Sequence, residues 1–98
     1  MLVISSAPRG VSLLDLRTRE VQWERPPERG APTPPIVTER GTVIYGETQG
    51  SLFALSLSDG REIARAEGGS GFSATPSVAG DLGGALSNGG RFLCLRVN

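Results

Sequence analysis

The sequence predicts an all-β chain, and three observations carry that prediction. Turn signals recur at the eight-to-twelve-residue spacing typical of short strands. The apolar runs between them alternate with a period of two. The chain also matches itself when shifted by about 41 residues.

The first strand is expected at Leu2–Ser5, an apolar and β-branched run closed by the turn at Pro8, Arg9 and Gly10. Ser12–Leu16 and Val21–Glu24 follow. Helix is the rival over Val11–Arg25 and over Arg61–Glu67, where charges are dense and no Gly or Pro intervenes, but Val21 and Trp23 flank Gln22 at strand spacing. Pro26, Pro27 and the stretch from Gly30 to Pro35 separate these strands from Ile36–Thr38, and Arg40-Gly41 marks the turn into Val43–Gly46. After Gln49-Gly50, Ser51–Leu57 sets Phe53, Leu55 and Leu57 against the softer Leu52, Ala54 and Ser56. Asp59-Gly60 then leads to Glu62–Ala66, and the glycines from Gly68 to Gly71 lead to Ser77–Val78. The glycine-rich stretch from Gly80 to Gly84 reads as a turn before Ala85–Leu86, and Asn88, Gly89 and Gly90 precede Phe92–Val97. In that last strand Phe92, Cys94 and Arg96 alternate with Leu93, Leu95 and Val97, apolar on both sides until Arg96. Two-sided strands of this kind suit the middle of a sheet held between neighbours.

The repeat organises these ten strands. At a shift of 41, Pro35, Ile36 and Val37 lie over Pro76, Ser77 and Val78, and Leu2, Val3 and Ile4 lie over Val43, Ile44 and Tyr45. The same shift puts Asp15 to Thr18 over Ser56 to Asp59, and a shift of 40 puts Gly50 to Ser56 over Gly90 to Arg96. The shift changes by one in the glycine-rich turn region before Gly90, where a deletion costs little. Each unit reads as a Pro-led first strand, a second strand, a third after a Gly turn, and a fourth after a polar turn. Four-stranded units at about 40 residues are the signature of β-propeller blades. The units fall near 1–29, 30–71 and 72–98, the first without its first strand and the third without its fourth, or about two and a half blades.

In series, these residues resemble the pyrroloquinoline-quinone-like (PQQ-like) repeat. That repeat has a Pro-led strand, a Gly turn, an apolar strand ending in Asp, and a Thr-Gly turn into a strand ending in Trp. Asp15, Thr18 and Trp23 match the Asp, Thr and Trp positions, with Arg19 where the family prefers Gly. In the second unit Asp59-Gly60 matches the turn, while Ser56 replaces the Asp and Ala64 the Trp. Pro35, Gly50 and the run Leu52 to Leu55 fit well, and the third unit matches from Pro76 through Gly90 to Leu95. Gly is expected to supply positive φ at the turns, and Asp or Thr to bond nearby amides. Trp23 is expected to lie between adjacent blades with its indole N–H on a partner; a quinone-stacking role is the lesser reading.

Composition excludes several functions. The net charge is zero, from ten basic and ten acidic residues, and no Arg run provides a footprint for nucleic acid. With no His and a single Cys, the chain has neither a histidine-containing triad, nor an internal disulfide, nor structural zinc ligands. Every basic residue is Arg, which removes Schiff-base lysine chemistry. No apolar stretch reaches the length of a membrane-spanning helix, and the start at Met1 lacks the basic region of a secretory signal.

Other motifs have plainer readings. Arg29, Pro32 and Pro35 fit an Arg-x-x-Pro-x-x-Pro ligand, but a stiff connection between units accounts for the same prolines and for the recurrence of Pro35 as Pro76. Gly69, Gly71 and Ala74 mimic a dinucleotide-binding fingerprint, which needs a helix that Pro76 disfavours. Cys94 reads as a small buried side chain. Glu20, Glu24 and Glu28 among Arg17, Arg19, Arg25 and Arg29 read as a solvated outer strand and loop, or as a charged docking edge.

The functional expectation is a non-catalytic protein-interaction scaffold without cofactor or metal, completed by further blades, by another protein, or by copies of the chain. The resemblance implies relatives among bacterial outer-membrane assembly scaffold lipoproteins and sensor or accessory domains. An alternative is a fragment of a quinone-dependent dehydrogenase. The family's enzymes hold a calcium-bound cofactor with acidic and amide side chains and use a catalytic Asp, and those motifs do not appear here. A repeat-built lectin for small ligands or carbohydrates is a further alternative, weakened because Glu47, Thr48 and Gln49 stand where the next unit has Ser87, Asn88 and Gly89.

Overall fold

The computed structural model describes residues 1–67, 69–79 and 82–96. Among the described residues ten strands form: β1 (Leu2–Ser6), β2 (Gly10–Asp15), β3 (Glu20–Arg25), β4 (Ile36–Val37), β5 (Thr42–Gly46), β6 (Ser51–Ser56), β7 (Glu62–Glu67), β8 (Ser77–Ala79), β9 (Leu82–Leu86) and β10 (Phe92–Arg96). No helix occurs among the described residues. The strands make three antiparallel sheets, β1-β2-β3, β4-β5-β6-β7 and β8-β9-β10.

The sequence repeat is also a repeat of strand register. Leu2 pairs with Leu14 in the first sheet, and Val43 with Leu55 in the second, each 41 residues further on. A bulge falls between Leu13 and Leu14 opposite β3, and another between Ala54 and Leu55 opposite β7, again 41 residues apart. Beside these bulges Trp23 pairs with Leu13 and Ala64 with Ala54. Gly46 pairs with Leu52 in the second sheet and Leu86 with Phe92 in the third, a shift of 40. Ile36 pairs with Ile44 but Ser77 with Gly84, so the missing residue belongs to the connection between β8 and β9. Gly80 and Asp81 of that connection, and Val97 at the end of the expected last strand, lie outside the described residues.

The second sheet is the core because β5 and β6 are apolar on both faces. Val43, Tyr45, Phe53 and Leu55 pack with Val11 of the first sheet, flanked by Val3, Trp23 and Leu57. Ile44, Leu52 and Ala54 pack with Phe72, Ala85 and Leu95, flanked by Ile36, Ala64, Ala66 and Leu93. Each fully buried Leu, Ile or Phe contributes about 1.5–3 kcal/mol of transfer free energy.

Two strand expectations are corrected. β9 begins at Leu82, so Gly83 and Gly84 are strand residues and not part of a turn. A Cβ at Gly84 would lie 2.9 Å from the Phe92 ring, so this strand glycine lets the ring cross the backbone. β10 is an edge strand among the described residues: Leu93 and Leu95 face the second sheet, while Phe92 is 62% exposed. Its two-sided pattern therefore does not mark a central strand.

Candidate interaction surfaces

The turn after β2 shows how the repeat residues act locally. Asp15 Oδ1 accepts from the Arg17 N–H at 3.0 Å, its carbonyl accepts from Arg19 N–H at 2.6 Å, and Thr18 Oγ1 accepts from Glu20 N–H at 3.3 Å. The turn after β6 repeats the scheme. Gly60 N–H donates to the Ser56 carbonyl at 2.8 Å, and Arg61 N–H to Asp59 Oδ1 at 3.0 Å. Both turns require positive φ at one place, 74° at Gly60 and 61° at Arg19. A side chain in that region costs about 1–2 kcal/mol, offset in part by the greater chain entropy of Gly. Arg19→Gly is therefore expected to stabilise the chain by about 0.5–1 kcal/mol in urea unfolding, whereas Gly60→Arg destabilises it.

The remaining glycines and prolines divide by role. Gly90 has φ 86° and donates to the Ser87 carbonyl at 3.0 Å. Gly50 makes the same bond to Glu47 at 3.1 Å without a positive φ, contrary to the expectation for turn glycines. Its requirement is steric, since a Cβ there would lie 2.9 Å from Glu47 Oε1 and 3.1 Å from Arg29 Cβ. Pro35 and Pro76 stand directly before β4 and β8, Pro35 half-buried and Pro76 buried. Residues 69–74 start no helix: Phe72 bridges to Ser87, and a Cβ at Gly71 would run into the Thr48 carbonyl.

Trp23 joins the first sheet to the second. Its indole N–H donates to the Leu57 carbonyl at 2.7 Å, and its ring covers Gly60, where a Cβ would lie 2.6 Å away. At the other end of this seam a charged network crosses between sheets. Arg25 reaches Glu62 at 3.3 Å, and Arg65 reaches Glu62 at 2.8 Å and Glu28 at 3.0 Å. The hydrogen bond from Arg65 holds the Glu62 carboxyl below its ordinary range, and Glu62 in turn raises Arg65. Arg65 also lies 4.6 Å over the Phe53 ring, which stacks on Tyr45. Arg25 and Glu28 thus belong to the seam, while Arg17, Arg19, Glu20, Glu24 and Arg29 are exposed as expected of a solvated strand and loop. Burial, reinforced by the charge of Glu47, pushes the Tyr45 hydroxyl up to about 12.

Glu47 is a group that sequence reading passed over except as a loop residue. It is buried, and its carboxylate accepts from the Glu28 N–H at 3.0 Å and from the Arg29 N–H at 3.1 Å. With Pro32 bridged to Glu47 and Ala31 N–H on Thr48 Oγ1, the proline-rich segment is fastened to the β5–β6 turn along its length. An acidic residue ending an apolar strand just before a Gly turn was the available signal. Among the described residues no cluster of His, Cys, Asp and Glu could hold a metal ion, and no helix is long and apolar enough to cross a membrane.

Among the described residues nothing covers the two outer faces, and both are largely apolar. On the first sheet Leu2, Leu14 and Val21 lie side by side across the strands with Ile4 on the same face, and Val21 is 49% exposed. On the third sheet Leu82, Leu86, Phe92 and Cys94, with Arg96 beside them, lie on the face turned away from the second sheet. Cys94 is exposed, not buried, because it lies on that face. The counterparts of Leu2, Ile4 and Leu14 are Val43, Tyr45 and Leu55, which the first sheet covers; the counterparts of Phe92 and Cys94 are Leu52 and Ala54, which the third sheet covers. No protein-family model matches the sequence, and no curated protein matches it significantly.

Proposed function

We propose that this chain is a non-catalytic β-propeller module of the PQQ-like type, a protein-interaction scaffold whose ring is completed by further blades or by copies of itself. One observation carries the reading. Each open outer face bears apolar residues at positions whose counterparts on the second sheet are buried by a neighbouring sheet. A face of the third-sheet kind already packs on a face of the first-sheet kind twice within the chain, so the two open ends are complementary in type. Association is then head-to-tail, and the rotation between successive sheets decides whether it closes into a ring. Contiguous exposed apolar faces of this kind mark association sites.

Light scattering on the full chain tests the proposal. The expected result is a discrete oligomer that Phe92→Asp on one face, or Val21→Asp on the other, converts to a folded monomer. A wild-type chain that remains a stable, well-folded monomer at tens of micromolar overturns it.

A further inference from the structure

Beside the outward edge of β1 runs a groove of about 370 Å³, lined by Leu2, Val3 and Leu13 of the first sheet, by Val37 of β4, and by Pro35 and Leu57 just outside the strands of the second. Among the described residues β1 pairs with β2 alone. An open strand edge next to an apolar groove is the arrangement that captures an extended segment by strand addition.

The chain itself specifies what such a segment looks like. On the second sheet, β4 pairs Ile36 with Ile44 and Val37 with Val43, and Pro35 precedes it. On the third, β8 pairs Ser77 with Gly84 and Val78 with Gly83, and Pro76 precedes it. Val3 and Leu2 are the first-sheet counterparts of Ile44 and Val43 by register. A strand laid along β1 in this register therefore places one residue opposite Val3 and the next opposite Leu2. Side chains opposite each other in an antiparallel pair point to the same face. The residue opposite Val3 then enters the cleft toward Leu57 and Val37, as Ile36 enters the apolar cluster between the second and third sheets. The residue opposite Leu2 points with Leu2 to the outward face of the first sheet, away from the cleft. Proline fits ahead of the pair because its fixed φ suits an extended entry and it brings no N–H to be satisfied.

We propose that the edge of β1 is a docking site for an extended partner segment of the form Pro–Φ–x, where Φ is a branched apolar residue. The segment adds antiparallel to the first sheet with Φ opposite Val3. The proposal rests on reading the three sheets as successive blades, and its groove shares only Leu2 with the outward face of Leu2, Ile4, Leu14 and Val21.

The test is titration of the isotope-labelled full chain with the capped peptide Thr-Pro-Pro-Ile-Val-Thr, which copies residues 33–38, followed by amide chemical shifts. Saturable shifts at Leu2, Val3 and Ile4 and around Leu57 are expected, with at least tenfold weaker binding when the peptide Ile is replaced by Asp. Altering the peptide leaves the fold of the protein untouched. No saturable change up to millimolar peptide, equal binding of the Asp peptide, or shifts centred on Leu86 and Phe92 would each overturn the assignment. An oligomer that fails to bind the peptide sinks the groove alone. A monomer that binds it at β1 sinks head-to-tail association and upholds the groove.

Discussion

Trp23→Ala is expected to destabilise the chain by about 3 kcal/mol, at the lower end for a large aromatic because the ring is half-buried. The loss has three parts. The ring leaves a cavity over Gly60, the Leu57 carbonyl loses its donor, and the packing against Val43, Tyr45, Phe53 and Leu55 thins. Urea unfolding gives the total, and amide exchange locates it. Protection should fall first in β1, β2 and β3, which Trp23 holds to the second sheet. Trp23→Phe separates the contributions, since it keeps most of the ring and removes the N–H; its expected cost is about 1 kcal/mol. Equal effects of the two variants would mean that the hydrogen bond, and not the ring, carries the contact.

Glu47→Ala should cost about 2–3 kcal/mol, because its carboxylate receives two backbone N–H groups in a buried setting. Glu28 and Arg29 would be released together, and the linker that leads to β4 would exchange its amides faster. Glu47→Gln retains one acceptor and should cost roughly 1 kcal/mol. It has a second readout at Tyr45, the single tyrosine of the chain. The Glu47 charge helps push that hydroxyl up to about 12, so Glu47→Gln should lower the midpoint of tyrosinate absorbance toward the ordinary value of 10.0. The sign for stability follows from linkage. A hydroxyl raised in the folded state contributes stability below pH 10 that is lost as pH rises toward 12, and the variant should narrow that window. An unchanged midpoint would place Glu47 outside the electrostatic field of Tyr45.

Much of the architecture was legible in one dimension. Strand positions follow from turn residues and period-two alternation, both local, and all ten expected strands are present within a few residues at each end. The repeat extends to geometry that the sequence reading did not call. The bulges beside Leu14 and Leu55 and the shared turn scheme at Asp15 and Ser56 arise because equivalent residues meet equivalent partners. The substitution of Arg19 for the Gly expected there was visible as a departure, and its positive φ is the physical consequence.

What could not be read was which faces are covered. Phe92 and Leu52 occupy equivalent, equally apolar positions, yet one is 62% exposed and the other 0%, because a sheet lies over only the second. For the same reason Cys94 was expected to be buried and is exposed. Glu47 belongs with these cases. Its partners, the Glu28 and Arg29 amides, lie 19 and 18 residues away along the chain, and backbone donors leave no trace in residue type. The sequence by itself determined the strands, their turns and their periodic register, since these depend on neighbours within a unit. Only the tertiary structure decided burial, the seams built by Trp23 and Arg65, and the two faces left open, because those depend on which unit stands beside which.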